Sequence, residues 1–276
     1  MAWLQSESQK LFYEFTPSSI CMKNKNTIVF AHGAGGNSRS WDKQVDHFSR
    51  NYNCLTFDHQ GFGFSETEKT VVTISDLKND LLKLINFLKL DKIHLVGQSM
   101  GGYTALSLAC TVPERIMSLT LSASNGMINP NLQEGLQPNF KKIEMFNRDG
   151  INWGWSQINN KRSELIEQYK TIRGLNKKIL DGTIVFEKSE VDFLSLRQLS
   201  SISCPTLFIG GDEDPLFPPK LLKKCSRFFK NGSYAIMEYC GHSPYFENPK
   251  IFNKELELHL RKISTPAPSE TFKHET

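Results

Sequence analysis

Short apolar runs alternate with longer stretches of helical periodicity along most of the chain. Six runs are rich in β-branched and aliphatic residues and predict strands; they are residues 27–30, 54–57, 93–96, 117–122, 206–209 and 233–237. Most of them are apolar throughout, which is typical of parallel strands covered on both faces. Strands that alternate with helices indicate right-handed crossover connections. We therefore predict an α/β fold with a mostly parallel central sheet flanked by helices.

The segments between and after these strands show the apolar spacing of amphipathic helices. The predicted helices are residues 76–88, 100–111, 220–229 and 244–263. Thr73 and Asp76 have the spacing of a capping box, so we expect the first of these helices to begin next to Thr73. A further helix is predicted between Ser163, as its cap, and Gly174, as its end.

One interval, between the fourth and fifth predicted strands, is far longer than a single crossover connection requires. We predict that residues 125–200 form a mostly helical insertion over one end of the sheet. The core would then consist of residues 1–124 and 201–264. Residues 265–276 are rich in Pro, Ser and Thr and have little apolar content, which predicts a disordered tail.

Composition and charge argue against several classes of partner. The chain of 276 residues has 33 Lys and Arg against 29 Asp and Glu, a formal net charge of +4, and its basic residues are scattered. We therefore predict no nucleic-acid partner. No apolar stretch approaches the roughly 18 residues of a membrane span, and the first residues lack the apolar core of a signal peptide. The six cysteines show no CxxC spacing, which favours structural thiols and a cytoplasmic location.

The most specific chemical motif is GQSMG at residues 97–101, directly after a predicted strand and before a predicted helix. A serine on a sharp strand-to-helix turn is held in a strained conformation with its hydroxyl exposed at the edge of the sheet. Gly97 and Gly101 remove the Cβ atoms that would clash in such a turn. We predict that Ser99 is a nucleophile; the alternative is a tight turn with a solvated serine.

A serine hydroxyl needs a base, and the base needs an acid that orients it. The chain offers Asp212 and Asp214 in the turn after strand 206–209, and His242 after strand 233–237. The order Ser, Asp, His is one that serine hydrolases use. On these residues alone, Asp212 remains a rival of Asp214 because both lie in the same turn.

Taken together, the ordered motifs resemble those of the α/β-hydrolase superfamily of serine hydrolases, over about residues 10–263. Besides GQSMG, they are HG at 32–33, DHQGFGFS at 58–65, DPLFP at 214–218 and GH at 241–242. The resemblance implies that Asp214 is the acid and that the insertion is a helical cap. It also implies an oxyanion hole formed by the backbone N–H groups of Ala34 and Met100.

We expect His32 to brace the oxyanion loop through hydrogen bonds rather than to transfer protons, and Gly33 to let that backbone approach a substrate. No cluster of His, Cys and acidic residues has metal-ligand spacing, and the glycine-rich turn at 33–37 lacks the phosphate-binding patterns. We therefore predict a serine hydrolase with no cofactor and no metal, which cleaves a small-to-medium carboxylic ester with an apolar portion. The alternatives are a carbon–carbon bond hydrolase of the meta-cleavage type, or a lyase or ligand receptor on the same scaffold.

Two features of the substrate pocket stay open. Asn37 and Asn125 are either polar contacts for the substrate or solvated loop residues. The aromatic residues of the insertion either pack the cap or line an apolar pocket over Ser99. These aromatic residues are Phe140, Phe146, Trp153, Trp155, Tyr169, Phe186 and Phe193.

Overall fold

The computed structural model describes residues 1–5, 9–20, 26–133, 138, 154–187 and 193–264. Three of the aromatic residues named above, Phe140, Phe146 and Trp153, lie outside these ranges, as does the predicted tail. The predicted insertion is therefore described in part.

The described residues form eleven strands, which build one large sheet and one small one. They are β1 (Ala2–Gln5), β2 (Gln9–Thr16), β3 (Thr27–Ala31), β4 (Asn53–Phe57), β5 (Glu66–Thr67), β6 (Val71–Thr73), β7 (Ile93–Gln98), β8 (Ile116–Ser122), β9 (Val185–Glu187), β10 (Thr206–Gly211) and β11 (Gly232–Met237). The large sheet has the order β1-β2-β4-β3-β7-β8-β10-β11, with β5 paired to β2. From β4 to β11 all neighbouring strands are parallel. The predicted α/β fold with a mostly parallel sheet is confirmed.

The N-terminal edge of the sheet is antiparallel, and the hydrophobic pattern did not predict it. β1 pairs with β2, and β2 pairs with β4. β2 buries Leu11, Phe12 and Tyr13 in succession, but polar residues precede and follow this short run. An outer strand keeps polar side chains in contact with water, so it lacks the continuous apolar run that marks the central strands.

Nine α-helices lie in the described residues. They are α1 (Asp42–Phe48), α2 (Ile74–Phe87), α3 (Met100–Thr111), α4 (Ser163–Gly174), α5 (Lys177–Leu180), α6 (Leu196–Ser200), α7 (Pro219–Ser226), α8 (Pro244–Glu247) and α9 (Pro249–Ser264). None of these helices combines the length and the apolar character that a bilayer crossing would need.

The predicted helix ends are confirmed in part. The capping box before α2 is present: the Thr73 hydroxyl accepts from the Asp76 N–H at 3.2 Å, and the Asp76 carboxylate accepts from the Thr73 N–H at 3.0 Å. The cap of α4 is Arg162 without a side-chain hydrogen bond, and not Ser163. The single helix predicted over 244–263 is wrong, because the chain leaves the helical conformation at Asn248. The following proline disfavours that conformation at the residue before it and has no N–H to donate.

Apolar side chains cover the sheet on both faces. Ile28 and Phe30 of β3 belong to the cluster around Trp41. Val29 and Ala31 belong to the other cluster, which the apolar residues of α2 and α3 share. Since successive side chains of a strand point to opposite faces, the two clusters lie on the two sides of the sheet.

The described part of the insertion contains α4, α5, α6 and β9. β9 pairs in parallel with β6, outside the large sheet. On α4, Tyr169 lies edge-on to Trp155 and Phe246, with ring centroids 5.3 and 5.2 Å apart. Phe186 and Phe193 are half-buried against the core. All four of the predicted aromatic residues that are described therefore contact the core or pack against one another.

His94 on β7 and His259 on α9 are buried histidines that are not among the predicted site residues. The pKa of each is lowered to about 4, mainly by burial, with a smaller contribution from the proximity of His259 for His94 and of Lys262 for His259. An unfolded histidine has a pKa of roughly 6.5. The unfolded chain therefore binds more protons in this range, so the stabilising contribution of the neutral rings is complete above pH 6.5 and is lost as the pH falls towards 4.

We therefore expect the thermal unfolding midpoint to fall between pH 6.5 and pH 4, and to fall less steeply in the double variant His94→Gln/His259→Gln. The measurement is circular dichroism during heating at a series of pH values. His47→Gln, a change at a half-exposed surface histidine, is the control and should keep the steep dependence. An equally steep fall in the double variant would contradict the assignment.

Candidate active site

The turn between β7 and α3 places Ser99 at the carboxyl end of the sheet. Its backbone has φ +49° and ψ −113°, which is strained for a residue other than glycine. The turn is held from the next strand, because the Ser99 N–H donates to the Ser122 carbonyl at 2.9 Å. The Ser124 hydroxyl donates to the Ser99 carbonyl at 2.8 Å. These two hydrogen bonds from neighbouring residues thus maintain the strained conformation of Ser99.

Gly97 and Gly101 lie where the backbone of this turn packs closest to its surroundings. A Cβ atom on Gly101 would overlap the Ala31 carbonyl at the end of β3, and one on Gly97 would overlap the Gly101 carbonyl. The first turn of α3 therefore rests directly on the end of β3. Any larger side chain at either position would displace Ser99.

His242 lies between Ser99 and Asp214. Its Nε2 atom is 3.1 Å from the Ser99 Oγ atom, and its Nδ1 atom is 3.1 Å from the Asp214 Oδ2 atom. The other carboxylate oxygen of Asp214 accepts from the N–H groups of Leu216 and Phe217 at 2.8 and 3.1 Å. The Phe217 ring also stacks on the imidazole, with centroids 5.6 Å apart. The carboxylate and the imidazole are thus both held from the loop that follows β10.

These contacts determine which nitrogen of His242 carries the proton. An ionised carboxylate only accepts hydrogen bonds, so Nδ1–H donates to Asp214 and Nε2 is left to accept from the Ser99 hydroxyl. Asp212, the rival acid, instead accepts from the Cys240 N–H at 3.2 Å. Of the two aspartates in this turn, Asp214 is the one with a hydrogen bond to His242.

The loop after β3 carries His32, Gly33 and Ala34. The His32 Nδ1 atom lies 2.8 Å from the Gly33 carbonyl, and its Nε2 atom accepts from the His59 N–H at 2.9 Å. Burial lowers the pKa of His32, which keeps the ring neutral and able to accept at Nε2. The His32 ring therefore links the backbone of Gly33 to that of His59.

The topology brings Ala34 and Met100 to the same edge of the sheet. β3 and β7 are parallel neighbours, with Ala31 opposite Gly97 at their carboxyl ends. Ala34 follows the first strand in a turn that is closed by the Gly36 N–H on the Gly33 carbonyl at 3.0 Å. Met100 is the first residue of α3, directly after Ser99.

Asn37 is fully buried, so the prediction of a solvated loop residue is wrong for it. Its amide nitrogen donates to the Ile172 carbonyl at 2.7 Å and to the Asn176 Oδ1 atom at 3.1 Å. Asn176 also donates to the Gly36 carbonyl at 3.0 Å and accepts from the Gly63 N–H at 2.9 Å. A pair of asparagines therefore ties the loop that follows β3 to the insertion.

Two further loop residues have structural contacts. Asn125 is buried, and its Oδ1 atom accepts from the Met127 N–H at 3.3 Å, so it is not solvated. Asp58 accepts from the Ser38 N–H at 2.7 Å and from the Phe64 N–H at 2.8 Å, one with each carboxylate oxygen. Asp58 thereby holds the loop at 58–65 against Ser38 in the segment that follows β3.

Gln98 and Glu247 contact the histidine loop, and neither was predicted as a site residue. Gln98 donates from Nε2 to the His242 carbonyl at 3.0 Å. Glu247 accepts from the N–H groups of Gly241 and Ser243, on either side of His242. Gln98 could have been found because it lies inside the GQSMG motif. Glu247 gave no such signal, since a glutamate in a predicted helix usually lies on its solvent face.

Within the described ranges, no group of three or more His, Cys, Asp and Glu side chains could hold a metal ion. The five cysteines that the structure describes are free thiols. Burial raises the pKa of Cys54, Cys110, Cys225 and Cys240 to about 12, and that of Cys204 to about 11. Since the thiolate is the nucleophilic form, these five thiols are poor nucleophiles at neutral pH.

Known proteins share this arrangement of elements. The family model described as alpha/beta hydrolase fold matches residues 26–249. A protein of Caulobacter sp. (strain K31) that carries a provisional name as a carbamate hydrolase is 25% identical over 243 residues, 83% of this chain and 88% of that protein. The 2-hydroxy-6-oxononadienedioate/2-hydroxy-6-oxononatrienedioate hydrolase 1 of Pseudomonas putida is 26% identical over 259 residues, 85% of this chain and 87% of the relative. A thermophilic esterase of Thermogutta terrifontis superposes with a TM-score of 0.75 at 23% identity, over 96% of this chain and 100% of the esterase, which shows a shared fold.

Asp212 and Asp214 have different contacts, and we therefore expect different results when each is mutated. Asp214→Asn should lower kcat by roughly 10⁴-fold, because an amide N–H facing Nδ1 favours the wrong histidine tautomer. Asp212→Asn is the matched control and should lower kcat only slightly, since Asp212 contacts the Cys240 N–H and not His242. Steady-state turnover of an aryl ester measures both variants. Reversed effects would mean that Asp212 is the acid.

Proposed function

This chain belongs to the α/β-hydrolase fold family, and on that premise we propose that it is a cofactor-independent serine hydrolase that cleaves a carboxylic ester. The proposal rests above all on the two distances of 3.1 Å that join His242 to Ser99 and to Asp214. A nucleophile, a base and an orienting acid within hydrogen-bond reach, in that order, constitute the machinery of acyl transfer.

In the first half of the reaction, Ser99 Oγ attacks the ester carbonyl carbon while His242 Nε2 takes the hydroxyl proton. The carbonyl oxygen becomes an oxyanion that accepts hydrogen bonds from the N–H groups of Ala34 and Met100. One such donor is worth about 10²- to 10³-fold in kcat in well-studied hydrolases. The intermediate collapses with loss of the alcohol, to which His242 returns the proton, and an acyl group remains on Ser99.

In the second half, His242 takes a proton from water, and the resulting nucleophile attacks the acyl carbon. The second tetrahedral intermediate uses the same two N–H groups. Its collapse releases the carboxylic acid and returns the proton from His242 to Ser99. Asp214 stays ionised throughout and stabilises the imidazolium that forms in each half.

A small or medium acyl group fits the position of α4. The Ile172 carbonyl on this helix is within 2.7 Å of the Asn37 amide, so the helix lies directly over the end of the oxyanion loop. Tyr169 of the same helix packs edge-on against Trp155. These neighbours favour a short apolar substrate over a long chain or a polymer.

We further propose that residues 125–200 act as a cap on a core formed by residues 1–124 and 201–264. The hydrogen bonds of Asn37 and Asn176 between oxyanion loop and insertion support this division. A cytoplasmic location is part of the same proposal, supported by the free state of the five described cysteines.

The second candidate is hydrolysis of a carbon–carbon bond, favoured by the 26% identity to the Pseudomonas putida hydrolase named above. This reaction uses a substrate whose leaving carbanion must be protonated, which demands donors in addition to the triad. An ester needs only the triad and the oxyanion hole. The ester is therefore the reaction for which the described residues already supply every group.

The decisive experiment compares wild-type protein with Ser99→Ala on a panel of substrates. The panel contains aryl esters from acetyl to hexanoyl and longer, an aryl carbamate and a meta-cleavage dienoate. We expect wild-type turnover of the short esters, falling for long acyl chains, and a loss on the order of 10⁶-fold in Ser99→Ala, as for other triad nucleophiles. Rapid turnover of the dienoate with only trace esterase activity would favour the second candidate.

Ser107→Ala, a change on the same helix α3, is the control and should retain full activity. A fluorophosphonate probe should label wild-type protein and Ser107→Ala but not Ser99→Ala. Retained hydrolysis in Ser99→Ala would contradict the mechanism. Labelling without turnover of any substrate in the panel would favour a lyase or a ligand receptor on this scaffold.

A further inference from the structure

Glu247 is a buried carboxylate at the end of α8, five residues after His242, with 2% of its surface exposed. It holds the backbone on both sides of that histidine. The Gly241 N–H donates to both carboxylate oxygens at 3.0 Å, and the Ser243 N–H donates to one of them at 3.1 Å. The loop that presents the imidazole is therefore wrapped around this one carboxylate.

The same carboxylate also binds the insertion. The Ser156 N–H donates to it at 2.9 Å, and the Asn159 amide nitrogen at 3.1 Å. In addition to these contacts of Glu247, the His242 N–H donates to the Gly154 carbonyl at 2.6 Å. Glu247 thus joins two chain segments, the loop around His242 and residues 154–159, which the Asn159 amide also links by donating to the Tyr239 carbonyl at 3.1 Å.

The chemistry of the donors fits an ionised carboxylate. All four groups that contact the carboxylate are N–H donors, and a carboxylate is the side chain that accepts hydrogen bonds without donating any. Burial raises the pKa of Glu247, while the donors from Ser156, Gly241 and Ser243 oppose that rise. A glutamine would turn an amide N–H towards one set of these donors and leave them unsatisfied.

We infer that Glu247 is a positioning residue for His242: it fixes the histidine loop against the insertion so that the imidazole reaches Ser99 and Asp214 at the same time. This inference rests on the proposed serine-hydrolase function. Both contacts of the imidazole are 3.1 Å long, so there is little room for displacement. A misplacement of roughly 1 Å in such a site costs about 10²-fold in rate.

The test is Glu247→Gln, assayed with an aryl butyrate and with a fluorophosphonate. We expect kcat and the rate of labelling to fall by about 10²-fold, with KM nearly unchanged because Glu247 does not contact the substrate. The Nδ1 proton of His242, which the hydrogen bond to Asp214 moves far downfield in the proton NMR spectrum, should broaden or shift. A purely structural role would lower the unfolding temperature without moving the NMR signal or the labelling rate of the folded protein.

Asp80→Asn is the matched control for the loss of a buried carboxylate. Asp80 is also buried and accepts from the amides of Gln9 and Gln60, at 2.6 and 2.7 Å, but it has no hydrogen bond to the histidine loop. We expect this variant to lose stability and to keep its labelling rate. Labelling of Glu247→Gln at the rate of the control would overturn the inference.

Two outcomes separate this inference from the proposed function. If wild-type protein is neither labelled nor active, the serine-hydrolase proposal fails, and the inference fails with it. If wild-type protein is labelled and Glu247→Gln is labelled equally fast, only the positioning role fails. Should Glu247→Gln not fold, Asn159→Ala replaces it, because that variant removes one donor and keeps the carboxylate. A several-fold loss of labelling rate there supports the inference, and an unchanged rate contradicts it.

Discussion

The close approach of α3 to the end of β3 is the constraint on which the site depends. Backbone carbonyls occupy the space where Gly97 and Gly101 would carry a Cβ atom, and this proximity forces the chain through the strained turn at Ser99. The same contact places the residue after the nucleophile next to the loop that follows β3. The strain is tolerated because the turn is held by the carbonyl of Ser122, the last residue of β8, and by the hydroxyl of Ser124, which follows that strand. The positions of the proposed nucleophile and of the proposed oxyanion donors are therefore consequences of one packing contact.

Buried polar groups then fix the loops that bring the remaining residues to this turn. Asp214 uses one oxygen for its own loop and the other for His242. Glu247 joins the histidine loop to the insertion, and the Asn37–Asn176 pair joins the oxyanion loop to it. Burying each of these polar side chains costs free energy unless its hydrogen bonds are made, and removing one leaves its buried partners unsatisfied. The insertion is thus hydrogen-bonded to both halves of the proposed machinery.

The sequence predicted those features that local pattern encodes. The continuous apolar runs of the central strands, the capping box at Thr73 and the GQSMG turn each depend on a few neighbouring residues, and all were found. The N-terminal antiparallel strands were missed because polar residues interrupt or end their short apolar runs, so neither strand has a long continuous apolar run. The break at Asn248 was missed although Pro249 follows it, because the apolar spacing continues across it.

The residues that sequence reasoning could not place are those whose partners are distant in the chain. Asn37 bonds to the Ile172 carbonyl, 135 positions away, and Glu247 to the Ser156 N–H, 91 positions away. No periodicity or spacing records such pairs, so Asn37 was interpreted as a substrate contact or a solvated residue. The choice between Asp212 and Asp214 was open on the residues alone for the same reason, since it depends on which carboxylate meets His242 in space.

The measurement that tests the central claim most directly is the mass of the Ser99 peptide during the first turnover. Protein mixed with an aryl butyrate is quenched in acid within milliseconds to seconds, digested and analysed by mass spectrometry. A covalent mechanism predicts a butyryl group on Ser99 that appears with the first equivalent of released phenol and disappears as the substrate is consumed. Sustained ester hydrolysis with no acyl group on Ser99, or with the acyl group on another residue, would contradict it.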